Sequence, residues 1–344
     1  MSEDIIGKPL QTKGGFLNKQ LTPNNFSPPY ILGLDIGGTK TALVLGTLNA
    51  EVVARNEFST PAAVDFNAAM HIICTAMDEF LQKIHISGFQ TPQAISVSVG
   101  GPLSIEAGIL HSPPHLSAWG EAPLKQHLHE RYHLPIFLEH DGNAGALAEY
   151  YFGAGRGAHN LIFLTMGTGL GAGLILNGAI YHGATDSAGE VGHIRLSEEG
   201  PTEYGKVGSW EAFACGAGIL KLAYLRNPQE FPPATTTADI IHRALAGDAA
   251  ALELIHEVGM WMGKGLAILV DLLNPEVIIV GTLGVLLGDL VLAPAREVLE
   301  KEALPISNRA CKILPAQLGS SLMDVGCLMA AFDAYRNHKL TLGE

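Results

Sequence analysis

The sequence predicts an α/β fold made of two halves of similar design. Residues 31–46 and 160–177 each read as a strand, a glycine-rich turn and a second strand. After each hairpin the chain alternates helical patterns with short apolar strands, as α/β domains do. At 344 residues, with 47% apolar and 16% charged residues, the chain is long enough for two domains. The repeated order suggests an internal duplication with a cleft between two α/β domains.

Composition excludes several classes of function. The formal net charge of −13 offers no electrostatic surface for nucleic acid or for an anionic membrane. No apolar run has the length of a membrane span, and the first residues lack the pattern of a signal peptide, so we expect a cytoplasmic protein. The four cysteines are widely scattered, which indicates reduced thiols rather than a disulfide framework.

The first half follows a tail of mixed polarity, residues 1–29, and is predicted as the smaller α/β domain, residues 30–143. A third strand at 51–58 alternates in polarity, and apolar residues recur at helical spacing over 66–84. A buried strand at 94–99, a short helix at 123–132, a strand at 135–138 and a helix from about residue 142 complete it.

The second half, residues 144–320, is predicted as the larger α/β domain. After the hairpin at 160–177, its longest helical pattern covers 249–273 and leads into a buried strand at 277–280. A helix at 283–302 and a strand at 311–314 follow. A last helix at about 321–337 is expected to return to the smaller domain.

The turn of the first hairpin has the composition of a phosphate-binding loop. Gly37 and Gly38 would let backbone amides approach a phosphate, and Thr39 and Lys40 would supply further donors. Asp35 could hold a magnesium ion, usually through water. The alternative from the residues alone is an ordinary glycine-rich hairpin without a ligand.

Two further glycine turns follow strands in the second half. One contains Gly167, Thr168 and Gly169, and the other begins at Gly281. Three such turns at strand ends indicate a nucleotide, with two turns at its phosphates and the third at its adenosine.

In combination and order, the motifs of this chain resemble those of the ROK family of sugar kinases and repressors. They are DIGGTK (35–40), HDGNAGALAE (140–149), MGTGLGAGLILNG (166–178), AGEVGH (188–193), GSWEAFACGAGI (208–219) and NPEVIIVG (274–281). The resemblance covers about residues 29–335. It implies the actin-like ATPase fold, also called ribonuclease H-like, with ATP and magnesium as cofactors and a homodimer as the assembly.

The resemblance places the family's catalytic base at Asp141. Phosphoryl transfer needs a carboxylate that accepts the proton of the attacking hydroxyl, and an ordinary aspartate is ionised at neutral pH. The alternative is that Asp141 only caps the helix that follows it.

The resemblance also assigns the sugar contacts. Glu190, His193, Glu211 and the backbone of Gly101 would bind hydroxyls, since carboxylate and imidazole groups can each pair with them. For Glu190 and Glu211 the alternative is a solvated helix face.

In one respect the chain departs from its zinc-containing relatives. Those proteins pair the His of this motif with the cysteines of a C-x-C-G-x-x-G-C loop, whereas residues 203–211 here read EYGKVGSWE. A structural zinc needs four ligands, so we predict no zinc site.

Two further departures concern the sugar. His140 stands where the family has the Asn before its catalytic Asp, and His115 stands where it has the Asn of its Asn-Leu-x-x-Trp segment. An imidazole spreads donor and acceptor across a ring, whereas an amide carries both at one end, so glucose cannot be assumed as the substrate. The alternative is that these histidines turn away from the sugar and water fills the gap.

The sequence therefore predicts an ATP- and magnesium-dependent sugar kinase, with a hexose or N-acetylhexosamine phosphorylated at its 6-hydroxyl. A sugar-sensing regulator is the alternative because the same family contains repressors, although the acidic charge and the lack of a DNA-binding head count against it. An ATP or polyphosphate hydrolase of the same fold would leave AGEVGH without a purpose.

Overall fold

The computed structural model describes residues 29–203 and 205–342 of the chain. Apart from residue 29, the predicted tail lies outside the described residues. In order, the strands are β1 (Tyr30–Ile36), β2 (Lys40–Thr47), β3 (Val52–Ser59), β4 (Ala94–Val99), β5 (Leu103–Ser104), β6 (Ile109–His111), β7 (Glu121–Ala122), β8 (Ile136–His140), β9 (Leu161–Leu164), β10 (Ala172–Leu176), β11 (Ala179–Ile180), β12 (Thr202–Glu203), β13 (Lys206–Val207), β14 (Val277–Val280) and β15 (Lys312–Pro315).

The helices account for much of the rest of the chain. They are α1 (Phe66–Ile86), α2 (Leu124–Tyr132), α3 (Asp141–Phe152), α4 (Trp210–Ala214), α5 (Gly216–Arg226), α6 (Thr237–Leu245), α7 (Ala249–Leu273), α8 (Leu283–Leu287), α9 (Asp289–Glu302), α10 (Pro305–Ala310), α11 (Leu322–Gly326) and α12 (Met329–Arg336). Short 3-10 helices lie at Pro114–Trp119, Val191–His193 and Gly319–Ser321. None of the described helices has the length and apolar character needed to cross a bilayer.

The chain divides into two compact units. Among the described residues, the first unit contains those up to Ala144, then Thr185–Ser187, and those from Ser321 onward. The second unit contains Gly145–Ala184 and Ala188–Ser320.

The first unit is built on a five-stranded sheet in the order β3-β2-β1-β4-β8. β1 and β2 form an antiparallel hairpin, and β1, β4 and β8 run parallel. All six residues of β4 are buried, as expected for a central strand covered on both faces. The ends of the parallel strands meet at one edge, which brings together Asp35, Gly100 and Asp141.

The second unit has a five-stranded sheet of the same design, in the order β11-β10-β9-β14-β15. β9 and β10 form the antiparallel hairpin, and β9, β14 and β15 run parallel. The glycine turns after β9 and β14 therefore lie side by side at the end of this sheet. The shared arrangement of both sheets is what the repeated sequence pattern predicts.

Helix α7 is the long helix predicted at 249–273, and it packs closely on α9. Asp248 caps its first turn by accepting a hydrogen bond from the N–H of Ala251, at 2.9 Å. Gly259 and Gly263 lie at the contact, where a Cβ would come within 2.6 Å of the carbonyl oxygens of Val291 and Ala295. Only glycine allows the two helices to approach this closely.

The predictions of single continuous helices over 283–302 and 321–337 are wrong. The first is divided into α8 and α9 by Gly288, whose φ of +53° and ψ of −131° are not helical. The second is divided into α11 and α12 by Cys327 and Leu328, whose side chains occupy the space above the glycines of β1 and β2, Gly33 and Gly46. In both places the pattern of apolar residues continues past the break, but only at Gly288 does the backbone leave right-handed helical φ and ψ, which Cys327 and Leu328 keep.

Candidate functional site

Asp35 is the main titratable group at the sheet edge of the first unit. It lies near the end of β1, opposite Ala42 in β2 and beside Ser98 in β4. Burial, and after it the nearby negative charge of Asp141, raises the pKa of Asp35 to about 7, although a hydrogen bond with the Ser98 side chain lowers it. Such a carboxylate is costly to ionise unless a cation lies beside it.

Arg55, Glu57 and Asp324 form an ion-pair network in the first unit. The Nε of Arg55 donates to both carboxylate oxygens of Asp324, at 2.9 and 3.0 Å, and its Nη2 donates to Glu57 at 2.8 Å. Asp324 raises the pKa of Asp35 and Arg55 lowers it, both less than burial does. The network therefore leaves Asp35 with little net compensation.

The turn from residue 37 to residue 40 is held by bonds at its base. Gly37 N–H donates to the carbonyl of Lys40 at 3.0 Å, and the hydroxyl of Thr60 donates to the carbonyl of Gly37 at 2.6 Å. The side chain of Lys40 is 64% exposed, and its ammonium lies 2.9 Å from Glu57 Oε1. A Cβ on Gly38 would lie 2.7 Å from the Cβ of His115, so His115 packs directly on the turn.

Asp141 is the first residue of α3, and its side chain is exposed. Its Oδ1 accepts a hydrogen bond from the N–H of Gly142 at 2.7 Å. A capping side chain accepts instead from an amide two or three residues further on. This geometry differs from the capping alternative and leaves the carboxylate facing solvent.

Two polar atoms next to Asp141 are buried without a hydrogen bond in the described part of the chain: His140 Nε2 and Asn143 Oδ1. Glu139 bonds to both residues. Its Oε1 accepts hydrogen bonds from the backbone N–H of His140 at 2.9 Å and from Asn143 Nδ2 at 2.8 Å. The ring of His140 lies against Gly101, where a Cβ would be 2.1 Å from His140 Cε1. Buried polar groups normally find partners, so these two atoms are suited to a bound ligand.

Hydrogen bonds stabilise the turn at residues 167–169 in the second unit. Gly167 N–H donates to the carbonyl of Gly169 at 2.9 Å, and Gly171 N–H donates to the Thr165 hydroxyl at 2.9 Å. At the start of α5, Gly216 N–H donates to the carbonyl of Gly167 at 2.8 Å. These bonds define the backbone path of the segment that contains Thr168.

The turn that begins at Gly281 lies beside the turn at residues 167–169. Gly281 N–H donates to the carbonyl of Leu164 at 2.8 Å, and Leu283 N–H donates to that of Met166 at 3.1 Å. Met166 and Thr282 both have positive φ, at 33° and 35°, which is unusual for residues with side chains. Strained backbone of this kind is concentrated at functional sites.

A polar cluster of Glu190, His193 and Glu211 lies near these turns in the second unit. His193 Nε2 is 3.9 Å from Glu190 Oε2, and the two side chains are 50% and 61% exposed. Glu211 is only 5% exposed; burial raises its pKa, and the charge of His193 opposes that rise. Its Oε1 lacks a hydrogen bond within the described residues, and a Cβ on Gly192 would lie 3.1 Å from its Oε2.

The structure thus brings the predicted residues together as two clusters, one in each unit. The first contains Asp35, the turn from residue 37 to 40, Gly101, His115, His140 and Asp141, and the second contains the turns at 167–169 and 281 with Glu190, His193 and Glu211. Sequence reasoning missed Ser98 and Asn143. Asn143 stands two residues after Asp141 inside the motif HDGNAGALAE, so it could have been found; Ser98 lies in an apolar strand and carries no such signal.

Comparisons with known proteins bear on the family and the fold of this chain. A family model described as "ROK family" matches residues 31–332. The chain is 31% identical over 314 residues to a glucokinase of Halalkalibacterium halodurans, covering 87% of this chain and 94% of the relative. It is 28% identical to a xylose repressor of Caldicellulosiruptor bescii, covering 87% and 77% of the two chains.

A solved structure supports the same fold. The ROK family glucokinase from Streptomyces griseus, in complex with glucose and AMPPNP, matches with a TM-score of 0.73 and 29% identity, covering 87% of this chain and 98% of that one. The actin-like ATPase fold predicted from the motifs is therefore confirmed.

Proposed function

From the premise that this chain belongs to the ROK family, we propose that it is an ATP- and magnesium-dependent sugar kinase. The observation that carries this proposal is the exposed carboxylate of Asp141 beside two buried polar atoms that lack partners among the described residues, His140 Nε2 and Asn143 Oδ1. A carboxylate facing solvent next to unsatisfied buried donors and acceptors is suited to a hydroxyl-bearing substrate. The relatives that are glucokinases support this reading.

Asp141 is proposed as the general base. It accepts the proton of the sugar hydroxyl as that oxygen attacks the terminal phosphoryl group of ATP. Its bond with the N–H of Gly142 holds the carboxylate in place while one oxygen stays free of that bond. Asn143 and His140 orient the hydroxyl toward it.

Asp35 is proposed to hold magnesium through a water molecule. Its carboxylate oxygens are the kind of ligand that this ion prefers. Burial, and after it the negative charge of Asp141, raises the pKa of Asp35, and a divalent cation beside the carboxylate would offset the cost of ionising it. When bound with ATP, the ion neutralises phosphate charge. The turns at 37–40 and 167–169 are proposed to bind the phosphates, and the turn at Gly281 is proposed to bind the adenosine.

Glu190, His193 and Glu211 are proposed to bind the sugar, together with the backbone of Gly101. Glu211 supports this because its buried Oε1 lacks a partner among the described residues and would gain one from a sugar hydroxyl. His115 and His140 are proposed to select among sugars at the edge of the pocket. The expected substrate is a hexose or an N-acetylhexosamine phosphorylated at the 6-hydroxyl, by a cytoplasmic homodimer.

A sugar-sensing regulator is the second candidate, and the xylose repressor relative is the observation that favours it. Such a protein would use the same sugar contacts without transferring phosphate. The two candidates differ in one measurable respect, which is whether a bound sugar is turned over.

The test measures ADP release from magnesium ATP against hexoses, ketohexoses, N-acetylhexosamines and polyols. Asp141→Asn should lower kcat roughly 10²–10⁴-fold with the accepted sugar, which is the usual range for loss of a general base. Asp289→Asn is the matched control, because Asp289 is an exposed carboxylate that pairs with Arg296 on α9. Sugar binding without turnover would favour the regulator, and ADP release without any sugar would favour a hydrolase.

A further inference from the structure

Residues 194–197 and 208–210 form the two arms of a clasp, and backbone hydrogen bonds join these arms. Trp210 N–H donates to the carbonyl of Ile194 at 2.7 Å, and Leu196 N–H donates to that of Gly208 at 2.8 Å. Arg195 and Ser209 form an isolated β-bridge between the same arms. One arm begins directly after His193 and the other leads into Glu211, so the clasp joins two of the proposed sugar ligands.

Lys206 forms a hydrogen bond at the end of this clasp that is nearest to His193. The ammonium of Lys206, at the start of β13, donates to the backbone carbonyl of His193 at 2.7 Å. That carbonyl belongs to the last residue of the 3-10 helix that presents the imidazole. A bond from a charged donor is roughly twice as strong as one between neutral groups.

A second lysine holds the other side of the clasp. Lys221, on α5, donates to the carbonyl of Thr202 at 2.8 Å and to Glu203 Oε2 at 2.6 Å. Both of these acceptors belong to β12, whereas the acceptor of Lys206 belongs to the 3-10 helix. The two lysines therefore act at different places on one segment, which makes them a matched pair for experiment.

Zinc does not fit this segment. The stretch that corresponds to the cysteine loop of zinc-containing relatives, residues 203–211, has no cysteine in the sequence. Within the part of the chain that the structure describes, no three His, Cys, Asp or Glu side chains are grouped so that they could hold a metal ion. His193 alone cannot provide the four ligands of a structural zinc.

We propose that Lys206 positions His193 for the sugar, and that its ammonium, rather than a zinc ion, holds this end of the clasp. Lys206 is a positioning residue, since it acts on the sugar through the backbone of His193. The bond restricts the carbonyl end of the 3-10 helix, and hence the direction of the imidazole. This inference rests on the proposed function for its kinetic consequence, but its structural consequence can be measured without any sugar.

The kinetic test compares Lys206→Met, Lys206→Arg and the control Lys221→Met. Lys206→Met should raise the sugar KM roughly tenfold, the effect expected when a charged hydrogen bond is lost, with the ATP KM and kcat changed less than about twofold on the same argument. Lys206→Arg retains a charged donor and should recover most of the affinity. Equal increases in sugar KM for Lys206→Met and Lys221→Met would overturn the proposal, because they would reflect general loosening of the loop.

The structural test uses hydrogen exchange of the protein without ligands. The amides of Leu196 and Ser197, which donate to Gly208, and of Ile194, which donates to Val191, should exchange faster in Lys206→Met than in wild type. Unchanged exchange would overturn the proposal even if no sugar is ever phosphorylated. A rise in wild-type exchange on adding a zinc-selective chelator in excess magnesium would also overturn it, since it would reveal a bound zinc ion.

Discussion

Replacing Asp35 by asparagine should stabilise the protein at alkaline pH. The carboxylate lies at the end of β1, where burial and the charge of Asp141 raise its pKa from 3.8 to about 7. In the unfolded chain the same group has an ordinary pKa near 3.9. The folded protein without magnesium therefore binds this proton more tightly than the unfolded chain does.

The sign and size of the effect follow from this difference. Because the folded pKa is raised, the free energy of unfolding falls as pH increases from about 4 to about 7, and the loss is complete above that range. A rise from 3.8 to about 7, at about 1.4 kcal/mol per pH unit, corresponds to roughly 4 kcal/mol as an upper limit. Roughly half of it, about 2 kcal/mol, should develop between pH 5.5 and pH 8.

An asparagine at this position cannot ionise, so the Asp35→Asn variant should lack this loss. Urea unfolding of both proteins in EDTA, followed by circular dichroism, gives the free energy of unfolding at pH 5.5 and pH 8. The advantage of Asp35→Asn over wild type should grow by about 2 kcal/mol between the two pH values. Adding magnesium at pH 8 should stabilise wild type more than the variant, and magnesium ATP turnover should be lost in the variant, as in other trades of stability for activity.

Ser98→Ala is the matched control. It removes the hydroxyl whose hydrogen bond lowers the pKa of Asp35, so its loss of stability between pH 5.5 and pH 8 should be larger than that of wild type. The same pH dependence in wild type and Asp35→Asn would refute the reasoning, because Asp35 would then carry an ordinary pKa.

Two substitutions of glycine test close packing at and near the site. Gly101→Ala should raise the sugar KM at least roughly tenfold, since a Cβ would lie 2.1 Å from His140 Cε1 and displace the ring. The control Gly100→Ala, whose Cβ would have no atom closer than 4.0 Å, should leave the sugar KM unchanged. Equal effects of the two substitutions in steady-state kinetics would contradict this prediction. Gly265→Ala should lower the free energy of unfolding by about 1–3 kcal/mol, because its Cβ would lie 2.1 Å from the buried ring of Trp210; urea unfolding without loss of stability would show that the ring can move.

Much of the fold could be predicted because its signals are local. The predicted helix over 249–273 has the bounds of α7, and the strands at 94–99 and 277–280 have those of β4 and β14. Periodic apolar residues and flanking turn residues are properties of short windows of sequence. The break at Gly288 was missed because the apolar pattern continues through a glycine of positive φ, and the break at Cys327 because it depends on how that side chain packs against Gly33.

Many residues of the candidate site could also be predicted, because they stand in sequence motifs. The three glycine turns, Asp141 and the Glu-His pair of AGEVGH stand in motifs that can be read directly, and the structure gathers them into one cluster in each unit. Their roles as base, phosphate ligands and sugar ligands stay predictions. Asn143 could have been found in its motif, but the burial of its Oδ1 and the bond from Lys206 to His193 are visible only in the tertiary structure.

By itself, the sequence determined the family, the α/β alternation and the chemical groups at the ends of the strands, because each of these is encoded by neighbours along the chain. Only the tertiary structure decided how those groups behave. The pKa of Asp35 depends on Ser98, Asp141 and the pair formed by Arg55 and Asp324, which are 269 residues apart in sequence. Desolvation and charge act through space, so no local pattern of residues reports them.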